Sequence, residues 1–418
     1  MSDTNDQFEN GVEIAVTTVL SKVPYIGEFI SALIEIFWPN NQPDIWSQVK
    51  DKVEQLVDQK IAAAQYAQVQ AMIGDPSQGS GLIGVLADYV GSVAQTNGNG
   101  QNPKATWTAA HTYFIGQSAA FQQQGIEVLL LPLYAQMANL HLALLKDGVS
   151  HKFCNDTELT MYLSIYENYA GKWATQAIND AKARTGATWT SINQVTRFMQ
   201  INVLNYLTLW PYFDPIKYPP PITADIRSTV EIFYTYKEAV ANMQWPYSKT
   251  NFGSVLPATP QSSISELTIY CDWNTNDGYC LLVASQVAYA NGVSTPYSGF
   301  LSNNGQPLHN LPQGRPTSNP QGYYDLFYTH PVPVTATNPI TSVQGVYEST
   351  DGIYCIDFGF KDGTSTGNVP NQAGMNQEYP NKVSIIPPTG YMLSSLYTPP
   401  GGWYYSAGDV VVGFRMRY

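Results

Sequence analysis

Five histidines, four cysteines and one glycine-rich run are the residues of this 418-residue chain whose types could carry chemistry. His111, His141, His151, His309 and His330 are scattered, with no spacing that sets two ligands on one helix face or one hairpin. Cys154, Cys271, Cys280 and Cys355 make no CxxC pair, and four thiols in so long a chain are no disulfide framework. Only Cys271 and Cys280 stand near enough to consider together. Gly79, Gly81 and Gly84 spell GxGxxG, but no strand pattern precedes them and no acidic residue follows in a βαβ context, so a nucleotide site is not expected. HExxH, GxSxG and P-loop signatures are missing. These residue types predict no enzyme, no cofactor and no metal.

The polar residues with more to say are those set into grease. Gly125 to Gly148, GIEVLLLPLYAQMANLHLALLKDG, is apolar on every side of a helical wheel, and between Lys104 and Lys146 the only formal charge is Glu127. Such a helix belongs inside a bundle or inside a bilayer. From Ile126 to Lys146 it would extend about 31 Å at ~1.5 Å per residue, close to the hydrocarbon thickness of a membrane. Leu129, Leu131, Tyr134, Gln136, Asn139, His141 and Leu145 are the residues expected to matter if it inserts. Gln136 and Asn139 are three apart and share a face, whereas His141 points elsewhere. For His141 and Asn139 one reading is a satisfied polar group of a packed core, and the other is a polar group lining a pore. Pro132 predicts a kink unless the regular helix begins near it.

The elements around this rod read as helices up to residue 210. An apolar helix over 11–38 bends around Pro24 and Gly27. A second, 44–72, carries the stripe Trp46, Val49, Val53, Leu56, Val57 and Ile61. A third covers 82–95, and a fourth, 105–124, has no formal charge and joins the central helix through Gly125 almost without a loop. A tightly joined, charge-poor pair is a hairpin that can enter lipid without dragging its ends across. Residues 154–184 make a sixth helix with Leu159, Tyr162, Leu163, Tyr166, Tyr169 and Trp173 inward, and 192–210 make the seventh.

After Pro219-Pro220-Pro221 the texture changes to short Tyr-, Val- and Ser-rich runs punctuated by turns, which predicts an all-β domain. Three segments resemble one another there. Leu267–Tyr270 leads through a loop to CLLVASQVAY, Val343–Tyr347 to CIDFGF, and Leu393–Tyr397 to VVVGFRMRY. This threefold self-similarity predicts a β-prism with one sheet per copy, against the alternative of a β-sandwich. The aromatic loops CDWNTNDGY and PPGGWYY offer Trp273, Asn274, Asp277, Tyr279, Trp403 and Tyr404 for stacking on a sugar ring or a receptor, or else for packing. The expected division is 1–220 and 221–418.

Only 12% of residues are charged, against about 25% in ordinary soluble proteins. The net charge of −12 argues against nucleic acid as a partner. The opening MSDTNDQFENG has no basic segment leading into an apolar core, which predicts no secretory signal and release by lysis or a nonclassical route.

Three blocks resemble the insecticidal crystal (Cry) delta-endotoxins. LLLPLYAQMANLHLALLKD (129–147) is similar to that family's central helix, and NQVTRFMQINVLNYLTLWPYFDPIKYP (193–219) to the last helix of its pore-forming domain and the exit from it. VPYIGEFISALIEIFWPN (23–40) resembles its first helix and that of the larger subunit of Pir-type binary toxins. The resemblance implies a seven-helix bundle around a central helix, then a β domain that binds a surface receptor or glycan. It further implies manufacture in a bacterial cytoplasm, in some cases as a crystal or inclusion, with action outside the cell. On that reading the hairpin 105–146 enters membrane lipid and several copies line a pore, with a small partner subunit if the Pir likeness governs. The alternative from another class is a non-lytic carbohydrate-binding protein on a helical scaffold. A full Cry core has three domains, whereas about 190 residues follow the bundle here, room for one.

Overall fold

The computed structural model describes residues 45–74, 79–94, 102–219, 231–236, 262–274, 279–296, 298–299, 326–348, 352–369, 381–398 and 410–417. The chain divides into two compact units, 1–227 with Tyr418, and 228–417. The helix expected over 11–38 and the irregular connection after residue 242 lie outside the described residues.

The first unit is helical: α1 (Ile45–Val57), α2 (Ala63–Ile73), α3 (Gly81–Ala94), α4 (Pro103–Gln117), α5 (Glu127–Ser150), α6 (Asp156–Ala183), α7 (Trp189–Met199) and α8 (Asn205–Leu209). A π-turn, Gln200–Leu204, joins α7 to α8, and a 3-10 turn, Trp210–Phe213, ends the rod. Every residue of α5 from Val128 to Gly148 is buried. That is the expected consequence of a helix with no polar stripe, since any face turned to water would leave apolar area uncovered. α1, α4, α6, the π-turn and the 210–213 turn pack around it. Pro132 sits within α5 beyond its first turn and, lacking an N–H, leaves the Val128 carbonyl without its intrahelical donor.

The helix expected over 44–72 is instead two helices. Asp58 takes a left-handed φ of 55°, which Asp tolerates better than most residues and which stops α1. The break is then held by side chains: Glu54 Oε1 accepts from the Ile61 N–H at 2.8 Å, and Gln59 Nε2 donates to the Gly125 carbonyl at 2.8 Å. The GxGxxG run is the tight turn into α3. Gly81 has a φ of +68°, and a Cβ on Gly84 would lie 2.3 Å from the Gly79 carbonyl oxygen, so the glycines are accounted for by backbone packing.

The second unit is all β: β1 (Ile232–Thr235), β2 (Ile264–Asn274), β3 (Tyr279–Tyr289), β4 (Ser298–Gly299), β5 (Leu326–Pro333), β6 (Ile340–Glu348), β7 (Gly352–Phe360), β8 (Asn381–Ile385), β9 (Tyr391–Tyr397) and β10 (Val411–Met416). The described strands form three sheets, ordered β1-β10-β9, β4-β3-β2-β5 and β7-β6-β8. Each self-similar segment is the antiparallel pair of its own sheet: β2 with β3, β6 with β7, β9 with β10. The likeness extends to irregularities, because β2–β3 and β6–β7 each carry two register shifts, one toward either end. β3 packs against β7 and β9, and β6 against β9, so the three sheets enclose one another as a prism and not as a two-layer sandwich. Leu282, Val287, Val343, Phe358, Leu396 and Val412 fill the interior. Tyr289 Oη donates to the Ser394 carbonyl at 2.7 Å, tying β3 to β9. Cys154, Cys271 and Cys355 form no disulfide, so Cys271 is not bridged to Cys280.

One seam depends on a missing side chain. A Cβ on Gly345 of β6 would lie 2.3 Å from the ring of Tyr236. Gly345→Ala should therefore lower the stability of the β unit by about 1–3 kcal/mol, read as a reduced urea midpoint at unchanged strand content by circular dichroism.

Candidate functional site

The polar groups of α5 are tied to particular neighbours, and the ties fall into two sets. In the first, a hydrogen-bonded chain crosses the bundle. The capping Asn155 side chain accepts from the Glu158 N–H at 2.9 Å and seats Glu158 in the first turn of α6. Glu158 Oε1 lies 2.9 Å from His111 Nε2 of α4, and His111 Nδ1 lies 2.8 Å from His141 Nε2 of α5. His141 Nδ1 meets the Tyr166 hydroxyl of α6. A single set of proton positions satisfies every link with both imidazoles neutral and Glu158 ionised. Tyr166 donates to His141 Nδ1, His141 Nε2–H donates to His111 Nδ1, and His111 Nε2–H donates to Glu158. Aromatic rings shield the chain: Phe114 stacks on His141 at 4.8 Å and Trp107 on His111 at 4.9 Å.

In the second set, Asn139 Nδ2 donates to Gln136 Oε1 at 3.0 Å, Gln136 Nε2 donates to Tyr206 Oη at 3.1 Å, and Trp210 Nε1 donates to Asn139 Oδ1 at 2.7 Å. This set binds α5 to the α7–α8 rod, on a different face from His141, as the sequence spacing predicts. Two further ties lie toward the C-terminal end of α5. Trp107 Nε1 donates to the Leu144 carbonyl at 2.9 Å, and Asp147 takes the Tyr89 hydroxyl and, at 2.9 Å, His151 Nδ1.

Leu129, Leu131 and Leu145 are at most 2% exposed and serve packing. Tyr134 stacks against Tyr169 with ring centroids 4.4 Å apart, yet the hydroxyls of both are buried without a hydrogen-bond partner. Lys146 Nζ is also buried with no hydrogen-bond partner, 5.7 Å from the centre of the Phe213 ring. Spacing alone does not single out His111, Glu158, Tyr166, Tyr206 and Trp210. The connection 118–126 between α4 and α5 hides the pairing of His111 with His141 from a reading of spacing. The histidines read as scattered are thus in part a cluster, although the described residues hold no grouping of three or more His, Cys, Asp or Glu fit for a metal ion.

The aromatic residues of the β unit are placed less fully. Trp273, Asn274 and Tyr279 belong to the tip of the β2–β3 hairpin, where Asn274 pairs with Tyr279 and Trp273 with Cys280. Their side chains lie outside the described residues, as do Asp277, Trp403 and Tyr404 entirely.

α5 is the one helix among the described residues that is long and apolar enough to cross a membrane, and here it is sheathed by other helices. The fold is therefore a helical bundle enclosing a bilayer-length helix, followed in sequence by a three-sheet β unit. Residues 15–214 match the delta endotoxin, N-terminal domain family. The chain is 30% identical over 227 residues to the pesticidal crystal protein Cry1Ia of Bacillus thuringiensis subsp. kurstaki, an alignment covering 50% of this chain and 31% of that protein. The chain therefore spans about a third of the length of the curated relative it matches. In fold it is similar to the mosquito-larvicidal Cry4Aa toxin of Bacillus thuringiensis, with a TM-score of 0.73 at 16% identity over 98% of this chain and 73% of that one. PirB gives a TM-score of 0.67 at 16% identity, over 99% of this chain and 94% of that one. Through its N-terminal half the chain is thus similar to the Cry delta-endotoxins.

Two outcomes follow from the ties. His111→Ala removes the acceptor for His141 Nε2–H and a donor to Glu158, and should destabilise the bundle by about 1–3 kcal/mol in chemical denaturation. Burial raises the tyrosine pKa values of Tyr89, Tyr166 and Tyr169 above the ordinary value of about 10. In the unfolded chain these phenols ionise near pH 10 while the packed ones stay neutral. Their stabilisation is therefore full below about pH 10 and is lost as pH rises further. Urea midpoints should be flat from pH 8 to 10 and fall above it. Tyr169→Phe, which removes a hydroxyl with no partner, should leave the midpoint at pH 8 unchanged or higher and reduce the alkaline loss.

Proposed function

We propose that this chain is a pore-forming protein toxin of the delta-endotoxin type, in which the β unit binds a target-cell receptor or glycan and the hairpin of α4 and α5, residues 105–146, enters the membrane. The observation that carries the reading is the enclosure of α5. A helix of bilayer length, apolar on all sides, is kept out of water by neighbours that hold it through a small number of polar ties. Apolar area buried against helices in water is reburied against lipid on insertion, so the exchange needs little net hydrophobic gain. What must be supplied is the breaking of the ties, since an unpaired His141, Asn139 or Gln136 in hydrocarbon is costly. Several copies arranged around those three residues would satisfy them with one another and with water, which is why the inserted state is proposed to be a homo-oligomer.

The match of residues 15–214 to the delta endotoxin, N-terminal domain family supports the pore-forming role of the first unit. Insects are the proposed targets because Cry1Ia is a pesticidal crystal protein. A requirement for a small second subunit is a second reading, favoured by one observation, the near end-to-end match in extent with PirB.

The test is dye release from liposomes by the whole chain, before and after limited protease treatment. Leakage is expected in at least one condition, and a disulfide engineered between α5 and α6 should abolish it until reductant is added. Silence in both conditions, or leakage indifferent to the lock, would overturn the reading in favour of a non-lytic carbohydrate-binding protein.

A further inference from the structure

The β7-β6-β8 sheet has an outward face that the function above does not use. Ser384 of β8 stands opposite Gln344 of β6, which stands opposite Asp357 of β7, and on the next rung Ser342 faces Gly359. Their neighbours Val343, Phe358 and Ile385 are buried on the other face, so the polar row points away from the prism interior. Gln344 Nε2 donates to Ser384 Oγ at 2.8 Å. The segment 364–369 runs beside β7 through bridges at Gly359–Ser365 and Ile356–Val369 and forms a wall. From it Ser365 Oγ donates to Asp357 Oδ2 at 3.3 Å, and Thr366 Oγ1, which reaches the Gly367 carbonyl at 2.8 Å, lies 3.2 Å from Asp357 Oδ1. Gly359 makes the floor: a Cβ there would lie 2.2 Å from Ser342 Oγ, so any larger residue would displace that hydroxyl from its place beside the cavity. Phe360 and Ile386, the latter 70% exposed, supply an apolar rim. Together these residues bound a cavity of about 280 Å³, at the small end of ligand sites and suited to one ring-sized molecule.

We infer that this cavity is a binding site for one neutral pyranose of a glycan, held by Asp357, Gln344, Ser384 and Ser342 with its C–H face against Phe360 and Ile386. The lining decides the class. An anion would meet the Asp357 carboxylate with no Lys or Arg among the lining residues to offset it. A hard cation wants six or more oxygen ligands and more than one carboxylate to hold it, whereas Asp357 is the single carboxylate of this lining. A neutral sugar matches, because its hydroxyls both donate and accept while its ring carries an apolar face. The site lies on the sheet face, away from the β6–β7 turn that closes at the Glu348–Gly352 pair. It rests on the β unit being the recognition module, but not on pore formation by the bundle.

The experiment is saturation-transfer NMR and calorimetry of the whole chain with methyl glycosides of neutral hexoses and N-acetylhexosamines. At least one should bind. Ser384→Trp, at an exposed position, should fill the cavity and abolish binding, and Asp357→Asn should weaken it about tenfold or more. Absence of binding by every glycoside, or binding that survives Ser384→Trp in a variant with unchanged circular dichroism, would overturn the inference. Dye release from glycan-free liposomes should be equal in the parent and Ser384→Trp. Sugar binding without any leakage would sink the pore reading and leave this one standing.

Discussion

The rest of the first unit follows from one constraint, that α5 offers water nothing. From Val128 to Gly148 it has no face on which exposure would be cheap, so every neighbour must turn an apolar stripe toward it. Leu159, Leu163, Tyr166, Ala170 and Ala174 of α6 recur at intervals of three and four and supply one wall. Trp107, Ala110, His111 and Phe114 of α4 supply another on the same periodicity. The outward faces of these helices then have little to do beyond staying wet, and the low charge content of the chain is consistent with hydroxyl and amide groups carrying that task.

Hydrophobic enclosure is non-directional, so it does not by itself fix which helix lies where or in what register. The polar ties do. A chain from Glu158 through His111 and His141 to Tyr166 has its links in register only if α4, α5 and α6 take one relative height, and the Gln136–Asn139–Trp210 set does the same for the α7–α8 rod. Buried polar networks are well suited to specifying a single arrangement, because a slip leaves several groups unsatisfied at once. Such ties are also local. Breaking a handful of hydrogen bonds removes the specificity of the packing while leaving the apolar surfaces intact for another partner.

How far residue order alone reveals this differs between the two units. The seven-helix plan and the buried rod are legible because a 3.6-residue period, or its complete absence in α5, is a strong local signal. The three-sheet plan is legible because Leu267–Tyr270, Val343–Tyr347 and Leu393–Tyr397 repeat one another. The break at Asp58 is not, since no local rule forbids an aspartate in a helix, and the choice is made by Glu54 and Gln59 reaching contacts elsewhere. The partnership of His111 with His141 depends on how the hairpin folds back, a tertiary fact that no ligand-spacing rule contains. The sugar-sized cavity is less legible still: Asp357, Gln344 and Ser384 come together only through the register of three strands, with Gly359 informative only once Ser342 is known to face it.

The packed state of the bundle is therefore specified without being optimal. Lys146 Nζ and the hydroxyls of Tyr134 and Tyr169 are buried with no hydrogen-bond partner, and an unmet polar group of this kind costs about 1–3 kcal/mol. Leu or Phe at such places would leave a tighter core, so their polar atoms make no contribution to the resting arrangement that an apolar side chain would not improve. They lie on α5 and on the α6 face that covers it, the interface that must separate if the hairpin is to leave. A seam that carries its own penalty needs less energy to open than a perfect one. The satisfied ties at His141 and Asn139 are then what gives that seam its register in the packed bundle.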